Sequence, residues 1–131
     1  MEHAKIYFVI FLGGGLGSML RFFISVWIGE RYGESFPWGT IIVNIAGCFL
    51  IGVLAALFDV EGRFIVSPIV RLFLMIGFLG GFTTFSSFSL QTLKLAQDGQ
   101  WLGAAANCAI SLVCCIVGVW AGFSAGHSIN Q

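Results

Sequence analysis

Charged residues are scarce in this chain: six are basic and six acidic, together 9% of 131 residues. A soluble domain usually carries about 25% charged residues, so this scarcity argues against a soluble globular protein. The net charge is zero, which leaves neither a basic face for nucleic acid nor a polybasic membrane anchor. Hydrophobic residues make up 58% of the chain and come in long runs, and a membrane helix needs about 20 of them. The composition predicts an integral membrane protein without a soluble domain.

Several signatures of chemistry are also missing from the sequence. There is no G-x-x-x-x-G-K-[ST] phosphate loop, no nucleophile–base pair and no metal cluster, which argues against an ATPase and against an enzyme. The four cysteines lie inside apolar runs and form no C-x-x-C pair, so we interpret them as small buried hydrophobic residues. His3 and His127 are isolated and are interpreted as solvated. The N-terminus lacks a basic region, so we interpret the first apolar run as a full span and not as a signal peptide.

Four apolar runs are each long enough to cross a membrane, and together they form a single transmembrane domain. We place the spans at about residues 5–28, 37–58, 68–95 and 101–123. Pro37 and Pro68 begin the second and third spans, and the first turn of a helix tolerates proline. All four runs are hydrophobic nearly all round, as membrane helices are. The sequence therefore predicts an all-α membrane protein with four transmembrane helices.

The third span contains the most unusual stretch, residues 77–92, which reads GFLGGFTTFSSFSLQT. Its glycines and paired threonines are poor helix formers, so we predict that the third helix is broken here. Polar and irregular backbone is tolerated at membrane depth where it packs in protein or lines a cavity. In membrane transporters the unwound carbonyls of such a break often coordinate a cation. Beyond the break, Phe85, Phe88, Ser89 and Thr92 share one helical face, so we expect this stretch to be the functional core.

Spans one and two each hold a conspicuous polar residue. Thr40 and Asn44 share one face of span two, and the amide of Asn44 needs partners near the middle of the bilayer. An interhelical hydrogen bond, which the sequence favours, and donation to a passing anion are both open. Arg21 follows Gly13 and Gly17, a pair at the spacing that lets helices approach closely. Snorkelling of Arg21 to the interface and attraction of anions into a vestibule are also both open.

Span four carries two stripes. Its glycines from Gly118 to Gly126 recur at spacing four and predict close helix packing. Asn107, Ser111 and Cys115 form a second stripe, which is mildly polar.

Lysine and arginine are spread almost evenly over the two sides of the predicted bundle. Because the number of spans is even, both chain termini lie on one side of the membrane, and Lys5, Arg63 and Arg71 lie on that side. The other side collects Arg31 and Lys94, with Arg21 near the end of span one. The orientation of a membrane protein follows the difference in lysine and arginine between its two sides. Because the two sides carry nearly equal numbers here, the sequence predicts insertion in both orientations and an antiparallel dimer. Four short helices enclose little space, which also predicts a dimer.

Two runs carry a resemblance to a known family: GGFTTFSSFS at 80–89 and WGTIIVN at 38–44. Together with the glycines of span one and Arg21, they resemble the Fluc-type fluoride channel family, also called CrcB. The resemblance covers essentially the whole chain. It implies an antiparallel, dual-topology homodimer with two pores in the bacterial inner membrane. Such a protein exports fluoride passively and so lowers cytoplasmic fluoride.

The resemblance also implies roles for individual residues. Phe85 and Phe88 line the pores, and Asn44 contributes to them. Backbone carbonyls of Gly80 and Thr83 hold a structural sodium ion, Na+, at the dimer interface. The remaining pore candidates are hydroxyl side chains, namely Thr40, Ser86, Ser87, Ser89 and Ser111. Some relatives carry an aromatic residue where this chain has Asn107.

The chemistry of the residues agrees with such a function. A pore for a tightly hydrated anion must replace water with donors, and hydroxyls, an amide and the positive edges of phenylalanine rings supply them without fixed charge. One alternative is a small multidrug-type proton-coupled exporter, which needs an intramembrane carboxylate; the predicted spans contain no Asp or Glu. Another is a structural membrane subunit that transports nothing, against which the polar face of span three argues.

Overall fold

The computed structural model describes residues 2–59 and 64–131, and it is helical almost throughout. Within these residues there is no strand. The helices are α1 (Glu2–Tyr32), α2 (Trp38–Leu57), α3 (residues 68–82), α4 (Phe85–Gln97) and α5 (Trp101–Asn130). Because α3 and α4 together form one span, Pro68–Gln97, the described part of the chain has four helices long and apolar enough to cross a membrane. The prediction of four transmembrane helices with a broken third one is confirmed.

The helices run beyond the predicted spans at several ends. The largest difference is at the C-terminus, where α5 continues through His127 to Asn130. A membrane span ends where polar residues begin, whereas a helix continues for as long as its backbone hydrogen bonds close. Two glycines mark where helices stop: Gly33 follows α1 with a φ of 83° and Gly99 follows α4 with a φ of 75°. Glycine adopts this left-handed conformation without steric cost.

The connection between α2 and α3 is only partly described. Arg63, which the sequence analysis counted on the side of the termini, lies outside the described residues. Its end is well defined, because the Ser67 hydroxyl accepts a hydrogen bond from the Val70 N–H at 3.4 Å. This is an N-cap, and Pro68 occupies the helical position that follows it.

The break in the third span involves fewer residues than we predicted from the glycine-rich stretch. The glycines at 77, 80 and 81 all stay helical, and only Thr83 and Thr84 leave the helix, with extended backbone angles. The reason is that Gly77 and Gly81 serve close packing against α1. A Cβ atom on Gly77 would lie 3.0 Å from the Ile10 carbonyl oxygen, and one on Gly81 would overlap the Gly14 carbonyl. The middle of α3, Leu72–Phe78, is π-helical.

Glycines also bring α2 and α5 together. A Cβ on Gly122 would overlap the Phe49 carbonyl, and one on Gly126 would lie 2.6 Å from the carbonyl oxygen of Val53. The two helices therefore touch along their backbones. Between α2 and α3 lies a small apolar core of Val43, Leu79 and Phe82, while most other large apolar side chains face outward, as expected of surfaces covered by lipid or a partner.

Candidate functional site at the broken helix

The break at Thr83 and Thr84 is held in place by Asn44 of α2. The Asn44 side-chain amide, which is buried, donates from Nδ2 to the Thr84 carbonyl oxygen at 3.0 Å. Its Oδ1 accepts a hydrogen bond from the Thr84 N–H at 2.8 Å. One side chain thus satisfies both backbone groups of a residue that has left the helix. Of the two interpretations of Asn44, the structure shows the interhelical hydrogen bond, and the amide keeps one further N–H.

The break deprives the last carbonyls of α3 of their usual helical donors, and those of Gly80 and Thr83 are two of them. In an unbroken helix the Gly80 carbonyl would accept from the N–H of Thr84, and the Thr83 carbonyl from that of Ser87. The Thr84 N–H instead donates to Asn44, and the Ser87 N–H donates to the Thr84 hydroxyl at 3.2 Å. Gly80 also faces open space, since a Cβ there would meet no atom within 4 Å. These two carbonyls are the pair for which the family resemblance implies a sodium ion, and their hard oxygen donors fit such a cation.

Arg21 lies against the end of α3. Its Nε donates to the Gly81 carbonyl oxygen at 3.1 Å, and the Ser18 hydroxyl donates to the same oxygen at 3.3 Å. The C-terminal end of a helix carries partial negative charge, which a cation stabilises. The guanidinium is therefore fixed against the last turn of α3, next to the break, and does not extend freely along α1.

A central cavity of about 330 Å³ lies beside the break, and α2, α3, α4 and α5 all contribute to it. It brings together six of the predicted site residues: Asn44, Gly80, Thr83, Phe85, Phe88 and Ser111. None of its lining residues is charged. The rings of Phe85 and Phe88 are neighbours, with centroids 5.2 Å apart and planes inclined by 52°. Phe88 is buried, whereas Phe85 is 72% exposed in the single chain.

A chain of polar side chains runs from the cavity into the contact between α4 and α5. The Ser111 hydroxyl donates to Asn107 Oδ1 at 3.4 Å, and Asn107 Nδ2 donates to the Thr92 hydroxyl at 2.8 Å. Thr92 in turn donates to the Phe88 carbonyl at 2.8 Å. Asn107 is only 1% exposed. The sequence analysis assigned no role to Asn107, although its place on one stripe with Ser111 was a signal. In the structure Asn107 links the two predicted pore residues Phe88 and Ser111 through hydrogen bonds.

The remaining predicted site residues lie outside the central cavity. Ser86 and Ser87 both lie within hydrogen-bonding distance of the Thr84 hydroxyl, at 3.3 Å and 3.1 Å. Ser89 donates to the carbonyl of Phe85, one turn before it. These three hydroxyls therefore surround the start of α4.

Thr40 lines a second cavity of about 500 Å³ near the connection between α1 and α2. This cavity contains charge, since Glu34, Lys94 and Asp98 also line it. Thr40 is one turn from Asn44, about 6 Å along α2, so both cavities lie on the same face of this helix. Gln91 lines the second cavity as well, and its Oε1 is buried without a partner among the described residues.

These features define a small multi-pass membrane protein with an uncharged, mostly apolar cavity beside a broken helix, where a few polar groups meet two aromatic rings and no catalytic pair is present. The model of a family described as CrcB-like protein, Camphor Resistance (CrcB), matches residues 8–123. The chain belongs to this family.

Curated relatives cover nearly the whole chain. A protein of Opitutus terrae named fluoride-specific ion channel FluC is 53% identical over 127 residues, which are 97% of this chain and 96% of the relative. Proteins of the same name from Rhodospirillum rubrum and Methylocella silvestris are 50% and 48% identical, each over 125 residues. Those alignments cover 95% of this chain and 97% and 95% of the two relatives.

Proposed function

We propose that this chain is a fluoride-specific ion channel that lets fluoride leave the cell passively and so lowers cytoplasmic fluoride. Relatives that share about half of its residues along nearly their whole length carry that name. The observation in the structure that best supports the proposal is the composition of the central cavity. It combines the amide of Asn44 and the hydroxyl of Ser111 with the rings of Phe85 and Phe88, and it contains no charge.

This composition suits an anion that is costly to dehydrate. The pore has to replace the water shell with hydrogen-bond donors. Ser111 can turn its hydroxyl, because its bond to Asn107 is long, and Asn44 keeps one N–H beyond the one that binds Thr84. The edges of phenylalanine rings carry partial positive charge. Such donors solvate the ion without the deep electrostatic trap that a buried lysine would create.

The proposed path continues from the central cavity along α2 towards Thr40. The second cavity, with Lys94 at its wall, then serves as the wide, solvated entrance. Ser86, Ser87 and Ser89 lie beside the first turn of α4, and we propose that they complete the polar lining when a second chain covers this face. The strong exposure of the Phe85 ring supports a lining shared with a partner.

We propose further that the functional unit is an antiparallel, dual-topology homodimer. The nearly even distribution of lysine and arginine supports insertion in both orientations, and Gly80 presents an open backbone surface. Tags at the C-terminus should then be found on both faces of the membrane. A tag on one face only would refute dual topology, while two or three added loop lysines should shift a mixed population to one side.

A sodium ion at the dimer axis is the corresponding proposal for the freed carbonyls. Gly80 and Thr83 of each chain would hold it, and when bound it supplies a positive charge that joins carbonyls of two chains. The dimer should therefore dissociate more readily when sodium is exchanged for potassium, a larger ion. Equal dimer stability in both salts, measured by size-exclusion chromatography at a series of dilutions, would count against the sodium site.

The function itself is tested by fluoride efflux from liposomes that contain the purified protein. We expect rapid fluoride efflux under a fluoride gradient and no comparable efflux of chloride from matched liposomes. Efflux should need no ATP and no proton gradient. Protein that is folded and dimeric by chromatography but passes neither ion, or passes chloride as fast as fluoride, would overturn the proposal.

A further inference from the structure

Two of the cysteines form a pair that the sequence did not reveal. Cys48 of α2 and Cys115 of α5 both line the central cavity, and their thiols are close enough to interact electrostatically. The helices that carry them are held close by Gly122, where a Cβ would overlap the Phe49 carbonyl, and Gly118 faces Cys48, since a Cβ on Gly118 would lie 3.8 Å from Cys48 Cβ. The two sulfur atoms are therefore neighbours on backbones that cannot move apart without losing close packing.

A third sulfur atom lies in the same cavity. Met75 of α3 also lines it, and thiolate and thioether sulfur are soft donors that select soft metal ions. The described part of the chain has no group of three or more His, Cys, Asp or Glu residues that could hold a metal. These residues therefore cannot form a structural zinc site, which needs four ligands. An ion that prefers two sulfur ligands could be bound by Cys48 and Cys115.

We propose that Cys48 and Cys115 form a binding site for a soft divalent cation of the mercury(II) class, held between the two sulfur atoms inside the central cavity. On binding, two S–H bonds break, two sulfur–metal bonds form, and two protons leave to solvent. The product is a neutral bis-thiolate complex. The uncharged lining favours this charge state, because an isolated charge in a low-dielectric interior is costly. A monovalent soft ion bound by two thiolates would leave an uncompensated negative charge.

The proposed site has a consequence for transport, and this consequence rests on the proposed function. The bound metal would occupy the cavity that Phe88 and Ser111 also line. Fluoride could then no longer pass between the ring and the hydroxyl. Metal binding itself does not depend on what the protein transports, so the two can be tested separately.

Binding is tested in a Cys108→Ser/Cys114→Ser protein, which keeps only the two proposed ligands. Mercuric chloride is the probe, because the neutral molecule can enter an apolar site. We expect one mercury ion per chain, release of two protons, an ultraviolet thiolate-to-metal band, and protection of both thiols from maleimide, read by intact mass. The complex should survive a wash with a dilute monothiol that removes singly attached mercury.

The matched controls add Cys48→Ser or Cys115→Ser to the same background. Each keeps one thiol, so its mercury should be lost in the monothiol wash and its thiol should become labelled. Two mercury ions per chain in the two-thiol protein, or labelling of its thiols after mercury and the wash, would overturn the proposal. So would retention of mercury by either one-thiol control.

Fluoride efflux gives the second readout, with each protein normalised to its own untreated rate. Mercuric chloride should lower efflux at least tenfold in the two-thiol protein and leave the washed one-thiol controls near their untreated rates. Fluoride efflux that persists with mercury bound would refute the inference that the bound metal blocks transport. It would also show that the metal does not lie in the fluoride path. Absence of efflux from the untreated protein would instead refute the proposed function, and the binding assay would still decide the thiol site.

Discussion

Replacing Asn44 by leucine tests whether one side chain holds the break open. The substitution keeps a similar volume but removes both hydrogen bonds to Thr84, at 2.8 Å and 3.0 Å. A buried backbone group left without a partner costs about 1–3 kcal/mol, so the two groups together cost about 2–6 kcal/mol before the chain relaxes. Even the lower value destabilises the local structure at Thr84 substantially.

Hydrogen–deuterium exchange measures this effect at the residue concerned. A loss of about 2 kcal/mol corresponds to roughly 30-fold faster exchange, since 1.4 kcal/mol is a factor of ten. We expect this acceleration for the amide of Thr84, together with a fall of fluoride efflux by tenfold or more, because the carbonyls of Gly80 and Thr83 and the first turn of α4 lose their positions. Exchange at Thr84 that is equal to or slower than in the unaltered protein would refute the reasoning.

Asn107→Leu provides the matched control. Asn107 is also a buried amide, only 1% exposed, but its partners are the side chains of Thr92 and Ser111 and not the backbone at the break. Its replacement should lower overall stability without accelerating exchange at Thr84. Equal acceleration in both variants would show a general loosening of the bundle, and Asn44 would then have no special role.

Three further predictions follow from the positions of aromatic and glycine residues. Phe85→Ile and Phe88→Ile should lower fluoride efflux sharply while the dimer still forms, because isoleucine lacks the positive ring edge; unchanged efflux in both would remove them from the pore. Gly80→Trp should leave the helix content of the chain intact, since the space there is open, but should reduce the dimer fraction in chromatography; a normal dimer would place the interface elsewhere. Gly17→Ala should destabilise the protein by about 1–3 kcal/mol through overpacking, because its Cβ would overlap the Phe78 carbonyl, whereas Gly15→Ala meets nothing within 4 Å and should be neutral or stabilising in thermal unfolding.

The aromatic substitutions need a suitable control ring. By helical spacing Phe82 lies outside the face of Phe85 and Phe88 and would be the nearest choice. In the structure Phe82 is 3% exposed and belongs to the apolar core with Val43 and Leu79, so replacing it would lower stability and confuse the result. Phe11 of α1, which is 73% exposed and lines neither cavity, is the better control and should tolerate isoleucine with unchanged efflux.

Much of the fold was determined by local properties that can be read from the sequence. Hydrophobic runs separated by short polar loops specify four membrane helices, because each run must satisfy its backbone within lipid. The poor helix formers around Thr83 and Thr84 specify an interruption of the third span, and the spacing of Phe85 and Phe88 places both rings on one face. The central cavity brings these rings together with Asn44 and Ser111, residues that the family resemblance named.

The tertiary structure alone decided which groups meet. Asn44 and Thr84 are 40 residues apart in sequence, and Arg21 and Gly81 are 60 apart. Periodicity tells which face of a helix a side chain occupies, but the partner opposite depends on how closely the helices approach and at what height they cross. For the same reason the sequence could not pair Cys48 with Cys115. Glycines that remove a Cβ at the contacts set these approaches. The hydrogen bonds of Asn44 to Thr84, the contact of Arg21 with Gly81 and the thiol pair are therefore properties of the packed bundle.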